Sequence, residues 1–214
     1  MREFSPGKSL HKIIKKGELT NTHLKAAAEL FHQLHQIKNF SAFPSKNPIL
    51  EFLSVNLKRS KRLNPVLYPI LEDLRKRSMK VIKKSERKSI TLCHGDLTPS
   101  NIIFDNKKAQ LIDWDLAHKN EPVYDLAYFS AHLVDTMTIK EVSERKILAA
   151  RNAFLKAYHA SFSKKRFLAW ETLTLVVATD HLLQSYCYDH MKKRIDFMLK
   201  MAEQSILLCE KIKS

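Results

Sequence analysis

Apolar positions recur at helical spacing over most of the chain. Leu24, Ala27, Ala28, Phe31, Leu34 and Ile37 fall on one face of a helix that Thr20 or Thr22 can cap. After a loop rich in Ser, Pro and Asn from Asn39 to Pro48, Ile49, Leu50, Leu53 and Leu57 predict a short helix. Asn64-Pro65 ends it, and Leu67, Ile70, Leu71, Leu74, Val81 and Ile82 mark a longer amphipathic one. The period then changes. Ile90–Cys93, Asn101–Phe104 and Ala109–Ile112 are short β-prone runs, the last two flanking a turn at Asp105-Asn106, which predicts a hairpin. From Pro122 the helical pattern returns and continues to Ser214. The expected fold class is α+β, mainly α, with a small β insert, and no linker divides the chain.

Composition excludes some classes. The 214 residues are 44% apolar and 28% charged, as in an ordinary globular protein. No apolar run approaches the roughly 18 residues of a membrane span, and Met1–Pro6 lacks the apolar stretch of a signal peptide. Cys93, Cys187 and Cys209 form no C-x-x-C pair and read as free thiols of a reducing compartment, so a cytoplasmic location is expected. The formal charge of +15 would attract phosphate-rich partners. The run Arg75-Lys76-Arg77, Lys80, Lys83-Lys84 and Arg87-Lys88 could bind nucleic acid, but its spacing fits the solvated face of the Leu67–Ile82 helix better. His32 and His35 could share a metal; with no third ligand nearby, core or capping roles are favoured.

The unusual chemistry gathers in and beside the β insert, in CHGDLTPSNIIFDNKKAQLIDWDLAHKNEPVYDLA, residues 93–127. His94, Asp96 and Asn101 flank the loop before the hairpin, and Asp113 and Asp115 follow it, so hard oxygen donors return to one end. Such donors suit magnesium carrying phosphate oxygens. Asp96 precedes Asn101 by five residues, the spacing between catalytic Asp and metal-binding Asn in kinase catalytic loops.

The stretch resembles the H-G-D-x-x-x-x-N, I-D-[WF]-[DE] and D-L-A signature of the choline and ethanolamine kinase and aminoglycoside phosphotransferase families, which share the protein-kinase fold. The resemblance implies a protein-kinase-like C-terminal lobe whose small hairpin carries the site. It implies Asp96 as catalytic base, Asn101 and Asp113 as Mg2+ ligands, Asp115 at or beside the metal, and ATP as phosphoryl donor. His94 and Asp125 are implied as structural supports, Asp125 holding the catalytic loop through backbone hydrogen bonds. Residues 1–10 look like the hinge that meets adenine, with Glu3 and Phe4 as its nucleotide-contacting residues, and residues 11–214 like a single helical lobe. The helix ending at Leu34-His35 resembles the first helix of that lobe.

No counterpart of the family's N-terminal lobe precedes that hinge, and no glycine lies before Gly7. A fragment, a partner chain supplying the lobe, and a catalytically inactive kinase-like binding module are the competing explanations. The expected activity is ATP-dependent phosphorylation of the hydroxyl of a small molecule that is choline-, thiamine- or aminoglycoside-like, with a cation among the candidates. A basic nucleic-acid-binding helical protein is the remaining alternative. Acceptor recognition is expected after Asp125: Trp170, Tyr186 and Tyr188 offer aromatic faces, with Glu171, Asp180 and Asp189 as counter-charges. Aromatic residues at helical spacing more often belong to a core.

Overall fold

In a computed structural model the described residues are 7–45, 61–85, 89–105, 108–140, 142–186 and 188–212. The expected helix at 49–57, the hinge-like Glu3 and Phe4, Cys187, and the end of the basic run at Arg87-Lys88 lie outside them.

The chain opens with β1 (Lys8–Ser9) and α1 (Leu10–Lys16). Next comes α2 (Asn21–His35), whose N-cap is Thr20, its N–H donating to His23 Nδ1 at 3.2 Å. The amphipathic α3 (Tyr68–Lys84) turns its buried residues Leu71, Leu74, Ser78 and Ile82 inward. On its outer face Arg75 is bound by Glu72 and Arg77 by Asp73 and Glu210, so these arginines have intramolecular partners.

The strands form two small antiparallel sheets. β2 (Thr91–Cys93) pairs antiparallel with β5 (His118–Asn120). β3 (Ile102–Asp105) and β4 (Lys108–Leu111) form the hairpin, and β1 adds to β3's other edge. The hairpin matches the two β-prone runs around Asp105-Asn106 in the sequence. The β2–β5 pairing was not legible there, because His118-Lys119-Asn120 has no apolar pattern and is a strand only through its partner.

Four helices complete the fold: α4 (Pro122–Thr138), α5 (Glu144–Ala157), α6 (Lys164–Ser185) and α7 (Tyr188–Lys211). Pro122 stands where a helix tolerates its missing N–H. α6 is the central post, buried almost all round and packed against α3, α4 and α7, while α2 packs on α5. Each fully buried Leu or Phe side chain contributes about 1.5–3 kcal/mol.

Two buried ion pairs fix how these helices meet. Glu121, just before α4, is held by Arg166 and by Trp170 Nε1 at 2.6 Å. Arg166 also donates to the carbonyls of Ile82 at 3.0 Å and Ser85, tying the end of α3 to the start of α4. Glu171 takes Arg151 through both carboxylate oxygens at 2.6 Å, together with Ser130 and Ser205. Breaking such a pair strands a charge in a low-dielectric interior.

Candidate active site

The loop between β2 and β3 is held from beneath by one carboxylate. Asp125, in the first turn of α4 and fully buried, accepts the N–H of His94 at 2.8 Å and of Gly95 at 3.2 Å. Its third donor is His35 Nε2 at 3.2 Å, and His35 Nδ1 meets Tyr158 Oη at 2.8 Å. Three donors on one carboxylate meet the requirement that a buried charge be fully paired. The donor atoms of His35, Cys93 and Asp125 lie within 4.8 Å of one another. Those of His35 and Asp125 bond to each other, and the Cys93 thiol, which burial and then Asp125 push up, donates to the Glu121 carbonyl at 3.3 Å.

Gly95 makes the sharp turn that follows. Its φ is +86°, and a Cβ there would stand 2.0 Å from the Leu116 carbonyl oxygen. Its own carbonyl accepts from Tyr124 Oη at 3.2 Å. His94 Nε2 lies 3.0 Å from the Ile112 carbonyl, which can only accept, so Nε2 carries the proton and Nδ1 faces the Asp96 N–H at 3.4 Å. The Trp114 ring sits 4.7 Å from that imidazole.

Asp96 and Asn101 meet directly. Asn101 Nδ2 donates to Asp96 Oδ2 and to the Asp96 carbonyl, both at 2.9 Å. The amide nitrogen is thus spent on Asp96, which leaves the Asn101 amide oxygen as a hard donor. Tyr128, one turn along α4 from Asp125, donates to Asp96 Oδ1 at 3.0 Å. Burial first, and the Asp96 charge second, push its phenol well above the ordinary tyrosine range, so it remains a donor.

A single backbone bond brings the third member in. The Ile112 N–H donates to the Asn101 carbonyl at 3.1 Å, closing the base of the hairpin, and Asp113 is the next residue along the chain. Asp113 and Asp115 are exposed and have no hydrogen-bond or ion-pair partner among the described residues. Asp113 alone among non-glycine described residues has a positive φ, 65°, a left-handed conformation that Asp tolerates. The Asn101 amide oxygen and the two unpaired carboxylates are hard oxygen donors of the kind a divalent cation takes.

The expected acceptor residues divide. Trp170 and Glu171 are core residues: Trp170 is fully buried against Tyr124 and bonded to Glu121, and every oxygen of Glu171 is taken by Arg151, Ser130 or Ser205. Neither face is open to a ligand, so the substrate role expected of both is corrected to a packing one. Asp180 is buried too, accepting from Gln184 at 2.7 Å. Tyr186 is exposed at the end of α6, away from any aromatic partner among the described residues, and the side chains of Tyr188 and Asp189 lie outside those residues. Sequence reasoning missed Tyr128, whose signal was a Tyr three residues after Asp125, and placed His35 in the core without its bond to Asp125.

A family model described as the phosphotransferase enzyme family matches residues 3–170. Among solved structures, a choline/ethanolamine kinase family protein from Mesorhizobium loti superposes with a TM-score of 0.69 at 15% identity, covering 98% of this chain and 73% of that one. An amicoumacin kinase in complex with AMP-PNP, Ca2+ and Ami gives 0.66 at 13% identity, with 95% and 63% covered. A Plasmodium vivax ethanolamine kinase gives 0.59 at 18% identity, with the same 95% and 63%. This chain therefore spans between 63% and 73% of the length of these structures, and at such identities the likeness is one of fold. No curated protein matches the sequence. The family match over residues 3–170, on a kinase-like α+β fold built around the 93–127 segment, makes this chain a member of the phosphotransferase enzyme family.

Proposed function

We propose that the protein transfers the γ-phosphoryl group of ATP to the hydroxyl of a small molecule, with Asp96 as the base. The observation that carries this reading is the contact between Asp96 and Asn101, with the Ile112 N–H, one residue before Asp113, bonded to Asn101. Asn101 and Tyr128 hold the two carboxylate oxygens of Asp96, which fixes the side chain in the loop. A carboxylate so oriented accepts the proton of an incoming hydroxyl as the oxygen attacks phosphorus. Asn101 Oδ1 and the Asp113 carboxylate would hold Mg2+, with Asp115 beside them. When bound, that ion neutralises charge on the phosphate oxygens.

The structural relatives include a kinase in complex with AMP-PNP and Ca2+, in keeping with a nucleotide donor and a divalent cation here. Choline-, thiamine- and aminoglycoside-like molecules and uncharged polyols are the acceptors to compare. Nucleic-acid binding is disfavoured, because Arg75 and Arg77 of the basic helix are held by Glu72, Asp73 and Glu210. No helix among the described residues is long and apolar enough to cross a membrane.

The test is turnover of Mg2+-ATP by the full chain with an acceptor panel, wild type against Asp96→Asn. The variant keeps the shape and one hydrogen-bond acceptor but removes the base. Turnover should fall by on the order of a thousandfold or more; a variant as fast as wild type removes Asp96 from the chemistry.

A further inference from the structure

Between Val123 and Met137, α4 is buried except at Tyr128, His132 and Asp135. Steps of four and three place these on one side of a helix. This stripe starts at the site, where Tyr128 donates to Asp96. The His132 ring lies one turn further, 4.5 Å from Tyr128. At the far end Asp135 Oδ1 takes Arg194 Nε at 2.7 Å and its terminal nitrogen at 2.6 Å. Asp96, Asp135, His181 and Arg194 are the charged and titratable groups whose fields reach His132. Among the described residues no hydrogen bond engages either ring nitrogen of His132.

We propose that this stripe is the floor of the acceptor site, and that His132 selects an uncharged, polyhydroxylated acceptor by hydrogen-bonding a second hydroxyl beside the one phosphorylated. The inference rests on the phosphotransferase reading above and names its substrate class.

Three features oppose a compact cation such as choline. The Asp135 carboxylate is already paired with Arg194, and Asp96 is reserved for the reacting hydroxyl, so neither offers an unengaged counter-charge. An ammonium cage needs open aromatic faces, whereas the Tyr128 ring is flanked by His132 at 4.5 Å and Tyr124 at 5.8 Å. At the outer end Arg194 closes the Asp135 carboxylate off as an ion pair. Burial, the largest influence on His132, holds its imidazole below the ordinary histidine value, so it is neutral at pH 7. A neutral imidazole offers one donor and one acceptor, and a hydroxyl answers both.

The experiment is a titration of the full chain followed by the ring Cε1–Hε1 NMR signals of its ten histidines, with the His132 signal identified by its loss in His132→Gln. The probes are myo-inositol, ribose and N-acetylglucosamine against choline, ethanolamine and spermidine. At least one polyol should move the His132 signal saturably, at least tenfold more tightly than any cation, while exposed His159 beside Glu29 stays still. His132→Leu should weaken polyol binding roughly five- to tenfold, with His132→Gln recovering part of it. A cation that binds more tightly than every polyol, or a His132 signal silent to all six probes, overturns the proposal. No nucleotide is present, so failure here is separate from failure of the phosphotransferase reading, which Asp96→Asn turnover decides.

Discussion

Asp113 and Asp125 are twelve residues apart in one segment, and the fold treats them in opposite ways. Asp125 is wholly buried, its oxygens claimed by two backbone N–H groups and an imidazole. Asp113 is exposed, without a partner among the described residues, and held in a left-handed backbone conformation. A buried carboxylate is retained only where its environment pays for desolvation, so Asp125 belongs to the scaffold. An exposed carboxylate in a sparsely populated conformation contributes little to folding and points to a role in binding. The same side chain thus serves architecture at one end of the segment and is left open for the proposed metal at the other.

Substituting each aspartate separates these roles. Asp113→Gly should cost turnover on the order of a thousandfold or more. Its stability should stay level or rise by up to about 1 kcal/mol, because glycine accepts the positive φ. Paired turnover and urea-unfolding measurements check both halves, and a large stability loss would make Asp113 a structural residue after all. Asp125→Ala should do the reverse in unfolding experiments. It leaves the His94 and Gly95 amides and the His35 ring without their acceptor, at a cost of about 3 kcal/mol or more. A midpoint within experimental error of wild type would break the contrast.

Acid should act more gently. Burial lowers His11 and His132, so the folded protein resists protonating them while the unfolded chain does not. The unfolded chain then binds more protons between the lowered folded values and about pH 6.5. Stability should be complete above that pH and decline as acid is added through the window. Urea midpoints at pH 7.5 and 5.5 should show the drop, and His132→Gln should shrink it. The smallest effect belongs to Lys76→Ala on the outer face of α3. Its ammonium is mostly exposed and 3.6 Å from Glu72, so both stability, within about 0.5 kcal/mol, and turnover should be unchanged.

What the sequence made legible was local. Thr20 capping α2, Pro122 opening α4 and the two short runs of the hairpin all depend on neighbours within a few residues. The spacing of Asp96, Asn101 and Asp113 was equally visible, because a short loop and a tight hairpin leave few ways to arrange them. The partners of Asp125 were not, since His35 is 90 residues away and its pairing depends on how α2 packs. Trp170 and Glu171 misled for the same reason. An aromatic beside an acid reads as a ligand cage until Glu121, Arg151 and Arg166 arrive from other elements to occupy them. The tyrosine and histidine stripe on α4 needed the burial of every other face before it stood out.

The bond from the Ile112 amide to the Asn101 carbonyl carries a consequence for evolution. It pins the two ends of the hairpin together, so the distance from Asn101 to Asp113 is set at the base and not by the tip around Asp105 and Lys108. Lineages descended from such a chain are free to lengthen, shorten or decorate that tip, and protein engineers can insert a tag or sensor there, with the spacing of the two oxygen donors preserved.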